Sequence, residues 1–141
     1  MNPGFLSLIT HPEHPGLVRT QTQDSLPELI PCEDGGEIRY LARFQDIDAA
    51  LMHVQNMMHT ALVDLENRIY QKPLEEMIAC VEADVLEHSR VWIDPALTPE
   101  QQAHIDTMTE RLKSSRRRID RIWQVVGLLG VLLLLLLSLK L

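Results

Sequence analysis

Residues 127–141 read GLLGVLLLLLLSLKL, and that run limits what the rest of the chain can do. The leucines at 132–137 are consecutive and cover every side of a helix, so no face is left for water and the segment is not the buried stripe of an amphipathic helix. The uncharged stretch reaches back to Ile122. Ile122–Leu139 is 18 residues long and holds nine Leu, three Val and one Ile. As a helix it covers about 27 Å, close to the hydrocarbon thickness of a bilayer. Its aliphatic residues favour insertion by roughly 0.3–0.6 kcal/mol each, and Gln124, Ser138 and the two glycines offset only part of that. Gly127 and Gly130 are three apart rather than four, outside the G-x-x-x-G dimer spacing, so a lipid-facing anchor is expected. With only Lys140 and Leu141 beyond it, the segment reads as a tail anchor inserted after translation.

Charge divides the chain at the same place. Residues 1–110 carry 6 Lys/Arg against 19 Asp/Glu, whereas residues 111–141 carry 7 against 1. An acidic body argues against nucleic acid as a partner. The basic stem, KSSRRRIDR at 113–121, precedes the span with five positive charges, and Lys140 alone follows it. The positive-inside rule then places residues 1–121 in the cytoplasm, with a bacterial inner membrane as the expected location. Arg116, Arg117, Arg118, Arg121 and Trp123 are the expected membrane-interface residues, each cation worth roughly 1 kcal/mol against anionic headgroups.

Periodicity in the body predicts an all-α fold: a three-helix antiparallel bundle or coiled coil, its third helix continuing into the C-terminal transmembrane helix. Ile47, Leu51, Val54, Met58, Ala61 and Leu65 repeat at spacings of four and three, which is a heptad seam. Asp46 is the expected N-cap of a helix over 46–71. A second helix is expected over 73–92, opening on Pro73 and striped by Leu74, Met77/Ile78, Val81, Val85 and Trp92. TPEQ at 98–101 is a capping box that starts a third helix over 99–121, passing without a breaker into the span at 122–139. Five prolines and four glycines in residues 1–45 predict an irregular, extended arm without long regular elements, in which EIRYLARF at 37–44, alternating Ile38, Tyr40, Ala42 and Phe44, makes a short strand or enters the helix. Within it LPELIP, and specifically Leu26, Pro27, Leu29 and Ile30, is the expected partner-binding strip, lying on the bundle or on a partner.

No catalytic constellation emerges, and no cofactor is expected. MHVQNMMH at 52–59 has a metal-box composition, but His53 and His59 are about 120° apart around a helix, so both are expected to be solvated. HPEHPG at 11–16 and CEDGGE at 32–37 are expected to be turns. His88 and Ser89 lack a nucleophile elbow. Cys32 and Cys80 are not in a C-x-x-C pair and are expected to be reduced thiols. The expected function is therefore that of a tail-anchored single-span adaptor, scaffold or accessory subunit of a membrane protein assembly. It would act through membrane-associated protein partners, the lipid bilayer and homo- or hetero-oligomers. The alternatives are a holin-like or toxin-like membrane-active effector, and an enzyme with an unrecognised metal site.

Overall fold

The computed structural model describes residues 1–139. Its body is α+β. Six strands form one antiparallel sheet: β1 Gly4–Thr10, β2 Leu17–Gln23, β3 Glu37–Phe44, β4 Leu62–Asp64, β5 Ile69–Gln71 and β6 His88–Ile93. Their order across the sheet is β4-β5-β2-β1-β3-β6. The helices are α1 Ile47–Met58, α2 Leu74–Glu82 and α3 Pro99–Leu139.

The all-α bundle and coiled coil expected from periodicity are thus overturned, and each element shows why. The five prolines of residues 1–45 punctuate strands instead of excluding them. Pro3 precedes β1, Pro12 and Pro15 sit in the β1–β2 turn, and Pro27 and Pro31 sit in the β2–β3 loop. Gly16 and Gly35 hold φ of 82° and 84° in those connections, a region that costs glycine nothing. β1 is the central strand, with β2 on one side and β3 on the other. Leu6 and Leu8 are buried on one face and Ser7 and Ile9 on the other, so the strand lacks the apolar–polar alternation of a half-exposed one.

The heptad seam is helical only in its first half. Asp46 caps α1 by accepting the Ala49 N–H at 3.1 Å, and Ile47, Ala50, Val54 and Met58 face the core. Past Met58 the chain turns and makes the β4–β5 hairpin, with Asp64 accepting the Asn67 N–H at 3.0 Å and Leu65 left exposed. The expected second helix stops at Glu82. Asp84 then accepts the Leu86 N–H at 2.9 Å and turns the chain into β6, whose β-branched and aromatic residues pair with β3. The Thr98 box closes in both directions, Gln101 N–H to Thr98 Oγ1 at 3.2 Å and Thr98 N–H to Gln101 Oε1 at 2.9 Å.

Leu6, Leu8, Val18, Tyr40, Ala42 and Phe44 from the sheet pack against Ile47, Val54, Met58, Met77, Ile78, Val81 and Ile105 from the three helices. One polar link crosses this core. The Tyr40 hydroxyl donates to Glu82 Oε1 at 2.9 Å, and Arg90 donates to both Glu82 oxygens at 2.6 and 2.8 Å. Burial pushes the Glu82 carboxyl up, but the hydrogen bonds from Arg90 and Tyr40 outweigh it and hold the group below its ordinary 4.5. Burial, and then the Glu82 charge, push the Tyr40 phenol up.

Glu82→Ala leaves a fully buried phenol without an acceptor, which costs about 2 kcal/mol and lowers the unfolding midpoint of the detergent-solubilised chain by about 10 °C. A carboxyl depressed by folding contributes stability that is fully present above its unfolded pKa and is lost as pH falls through the folded value. The midpoint of the wild-type chain therefore drops as pH falls below about 4.5, and Glu82→Gln makes that drop shallower. An equally steep drop in the variant counts against the Glu82 link.

Candidate functional site

α3 is one unbroken helix of 41 residues, about 62 Å long. Its first half belongs to the body. Ile105 and Thr109 are buried, and Gln101 Nε2 donates to Glu75 Oε1 on α2 at 2.7 Å. Every described residue from Arg117 onward is exposed, and the most apolar 18-residue window has a mean hydropathy of 2.5 with none of it buried. Moving the 13 aliphatic side chains of Ile122–Leu139 from water into a bilayer gains roughly 4–8 kcal/mol. The helix is long and apolar enough to cross a membrane. Lys140, expected to follow the span, lies outside the described residues.

The expected interface cations divide into two groups. Arg117, Arg118 and Arg121 are exposed, as is Trp123 at the start of the apolar stretch. Arg116 belongs instead to the body. Its Nη1 donates to the Ala83 carbonyl at 2.9 Å and its Nη2 lies 3.1 Å from Met57 Sδ. Ala83 is the C-cap of α2, where unpaired carbonyls concentrate negative partial charge and favour a cation. Arg116 thus bolts α3 to the ends of α1 and α2, one and a half turns before the apolar stretch. Charge density alone reveals the collar in the sequence. The Arg116 contact was not legible there, because it depends on α2 ending at Glu82.

The strip Leu26, Pro27, Leu29 and Ile30 lies in the β2–β3 loop. Leu26, Leu29 and Ile30 are 49–60% exposed, and Pro27 is half-buried. The loop is tied down only beyond it. Cys32 N–H donates to the Gly36 carbonyl at 2.7 Å, Gly36 N–H to Asp34 Oδ1 at 3.0 Å, and Arg19 to Asp34 Oδ2 at 2.6 Å. CEDGGE is a turn built on these bonds. The Gly36 and Arg19 hydrogen bonds hold the Asp34 carboxyl below its usual range.

Four of the six histidines, His11, His53, His59 and His88, make side-chain hydrogen bonds within the body. His11, Glu13 and His14 bring ligand atoms within 4.8 Å of one another. However, His11 Nε2 donates to the Asp34 carbonyl at 2.5 Å and its Nδ1 accepts the Glu13 N–H at 3.1 Å, so both ring nitrogens are used. His53, expected to be solvated, is only about a third exposed. Its Nδ1 lies 2.9 Å from Asp84 Oδ1, and the Asp84 side chain is wholly buried. The contact exists because Asp84 sits in the turn after α2 rather than within a helix. His59 is exposed, with Nδ1 bonded to the Asn56 carbonyl, and His88 stacks on Phe44 at 4.9 Å. Both cysteines are free. Burial raises the Cys80 thiol, which disfavours the thiolate a nucleophile needs.

No protein-family model, curated protein or solved structure matches this chain.

Proposed function

We propose that the chain is a membrane-tethered α+β domain that works as an adaptor or accessory subunit of a membrane protein assembly. The observation that carries this reading is the continuity of α3: one helix leaves the body core, passes a cationic collar and continues as an apolar stretch with no surface of its own chain to cover it. A rigid connection of this kind holds the domain at a fixed height, which suits a protein that presents contacts to membrane neighbours. Arg117, Arg118 and Arg121 before the span support a cytoplasmic body, and the membrane proposed for it is a bacterial inner membrane. Leu26, Leu29 and Ile30, flanked by Asp24, Glu28 and Glu33, support a protein partner for the β2–β3 loop.

Protease shaving tests the topology. In inside-out inner-membrane vesicles, added protease degrades the body and leaves the span. In intact spheroplasts the chain stays whole. Digestion in spheroplasts overturns the orientation. Mass measurement after mild-detergent extraction tests the adaptor role, and a monomer with no companion contradicts it.

A further inference from the structure

The two ends of the sheet differ in a way that bears on how the domain sits. Pairing of Phe5 with Gln23, Gly4 with Phe44 and Phe44 with His88 gathers one end. Pairing of Thr10 with Glu37 and Leu17 with Gln71 gathers the other. α2 begins just after Gln71 and finishes in the turn that enters His88, so its C terminus belongs to the Phe44–His88 end. α3 starts beside the N terminus of α2 and reaches that C terminus at Arg116. The apolar half of α3 therefore leaves the body from the Phe44–His88 end.

Large apolar side chains are exposed at this end, as are Leu26, Leu29 and Ile30 in the β2–β3 loop, Val63 on β4 and Val91 on β6 elsewhere on the body. The far-end connections 11–16, 33–36, 72–73 and 94–98 expose none. Val85, in the turn next to the Ala83 carbonyl that Arg116 holds, is 73% exposed. Leu65 is 66% exposed in the β4–β5 turn, which Arg68 Nη1 ties to Thr22 Oγ1 at 3.3 Å, one residue from Gln23. Met52 is 60% exposed on α1, which starts against Asn2 and reaches Arg116 through Met57. Arg116 precedes Ile122 by six residues, about 9 Å of helix. Headgroups add about 5–7 Å to each side of the hydrocarbon core, so a span beginning at Ile122 holds this end of the body against them.

We propose that the Phe44–His88 end of the domain rests on the bilayer, with Met52, Leu65 and Val85 at the level of the headgroups. The proposal builds on the membrane reading of α3. Asp48, Glu66 and Glu87 are exposed on the same segments, so the contact is driven by burial of apolar side chains, and anionic lipid is not required. The exposed cations of the collar, Arg117, Arg118 and Arg121, act separately from it.

The test uses the full chain with Cys32→Ser and one of four label sites: Leu65→Cys, Val85→Cys, Ala96→Cys at the far end, or Val131→Cys in the span. Each carries an environment-sensitive fluorophore in phosphatidylcholine vesicles, and iodide quenching is measured. Quenching at 65 and 85 is expected to be at least about threefold weaker than at 96, and unchanged when anionic lipid is added. Quenching at 65 and 85 equal to that at 96, with 131 shielded, overturns the docking while the anchor stands. Quenching at 131 overturns the membrane reading itself. Shielding at 65 and 85 that vanishes as the protein-to-lipid ratio is lowered assigns the cover to a second copy and overturns the lipid assignment.

Discussion

Leu8→Ala destabilises the body by about 3 kcal/mol and lowers its unfolding midpoint by about 15 °C, read by circular dichroism in detergent. Leu8 is wholly buried at the middle of the central strand, where it lies opposite Thr20 on β2 and Tyr40 on β3 and faces the helix layer. Removing its branched end leaves a cavity between two elements that cannot both close on it, so the lost transfer energy and the cavity both contribute. The comparison that gives the result meaning is Leu65→Ala. That side chain is 66% exposed, and its truncation changes the midpoint by no more than about 2 °C in detergent. A helical bundle with a loose N-terminal arm reverses the ranking, since Leu65 then lies on the seam and Leu8 at the periphery. Equal or reversed effects contradict the sheet.

The second large effect belongs to the span. The double variant Val131→Arg/Leu134→Arg places two guanidinium groups near the middle of the apolar stretch. Each costs about 2.5–3.5 kcal/mol of insertion free energy at the helix centre. Together they cost about 6 kcal/mol, comparable to everything the 13 aliphatic residues gain on insertion. The fraction of the chain that floats with vesicles then falls from nearly all to background. The body keeps its unfolding midpoint, because neither position touches it. A variant that still floats shows that the leucine run is not what holds the chain to lipid.

What could be read from residue order, and what could not, follows the range of the interactions concerned. The Asp46 and Thr98 caps depend on neighbours three residues away and are legible as short motifs. The apolar stretch is legible because it needs no partner within the chain. The sheet depends on pairing between distant segments, such as Leu8 with Tyr40 and Phe44 with His88, and only the alternation of Ile38, Tyr40, Ala42 and Phe44 in β3 is legible locally as a possible strand. The N-terminal prolines resemble those of an unstructured arm, yet they mark the ends of three strands. Ile47–Met58 and Leu62–Leu65 continue one numerical spacing, although the first is helix and the second belongs to a hairpin. Hydrophobic spacing alone does not separate the two when a strand is buried on one side and short. The collar was visible as charge, but the division between Arg116, which holds the body, and Arg117, Arg118 and Arg121, which do not, rests on where α2 ends. The same turn carries Asp84, and with it the His53 contact that helix geometry alone had left in solvent.

Flotation of the intact wild-type chain at alkaline pH puts the membrane reading of α3 to the most direct trial. Vesicles carrying the full chain are washed with sodium carbonate, which strips proteins held by surface charge, and are layered beneath a sucrose gradient. The chain rises with the lipid if Ile122–Leu139 crosses the hydrocarbon. If it remains in the dense aqueous fraction, folded and free of lipid, the apolar half of α3 is covered by something other than a bilayer and the tether is refuted.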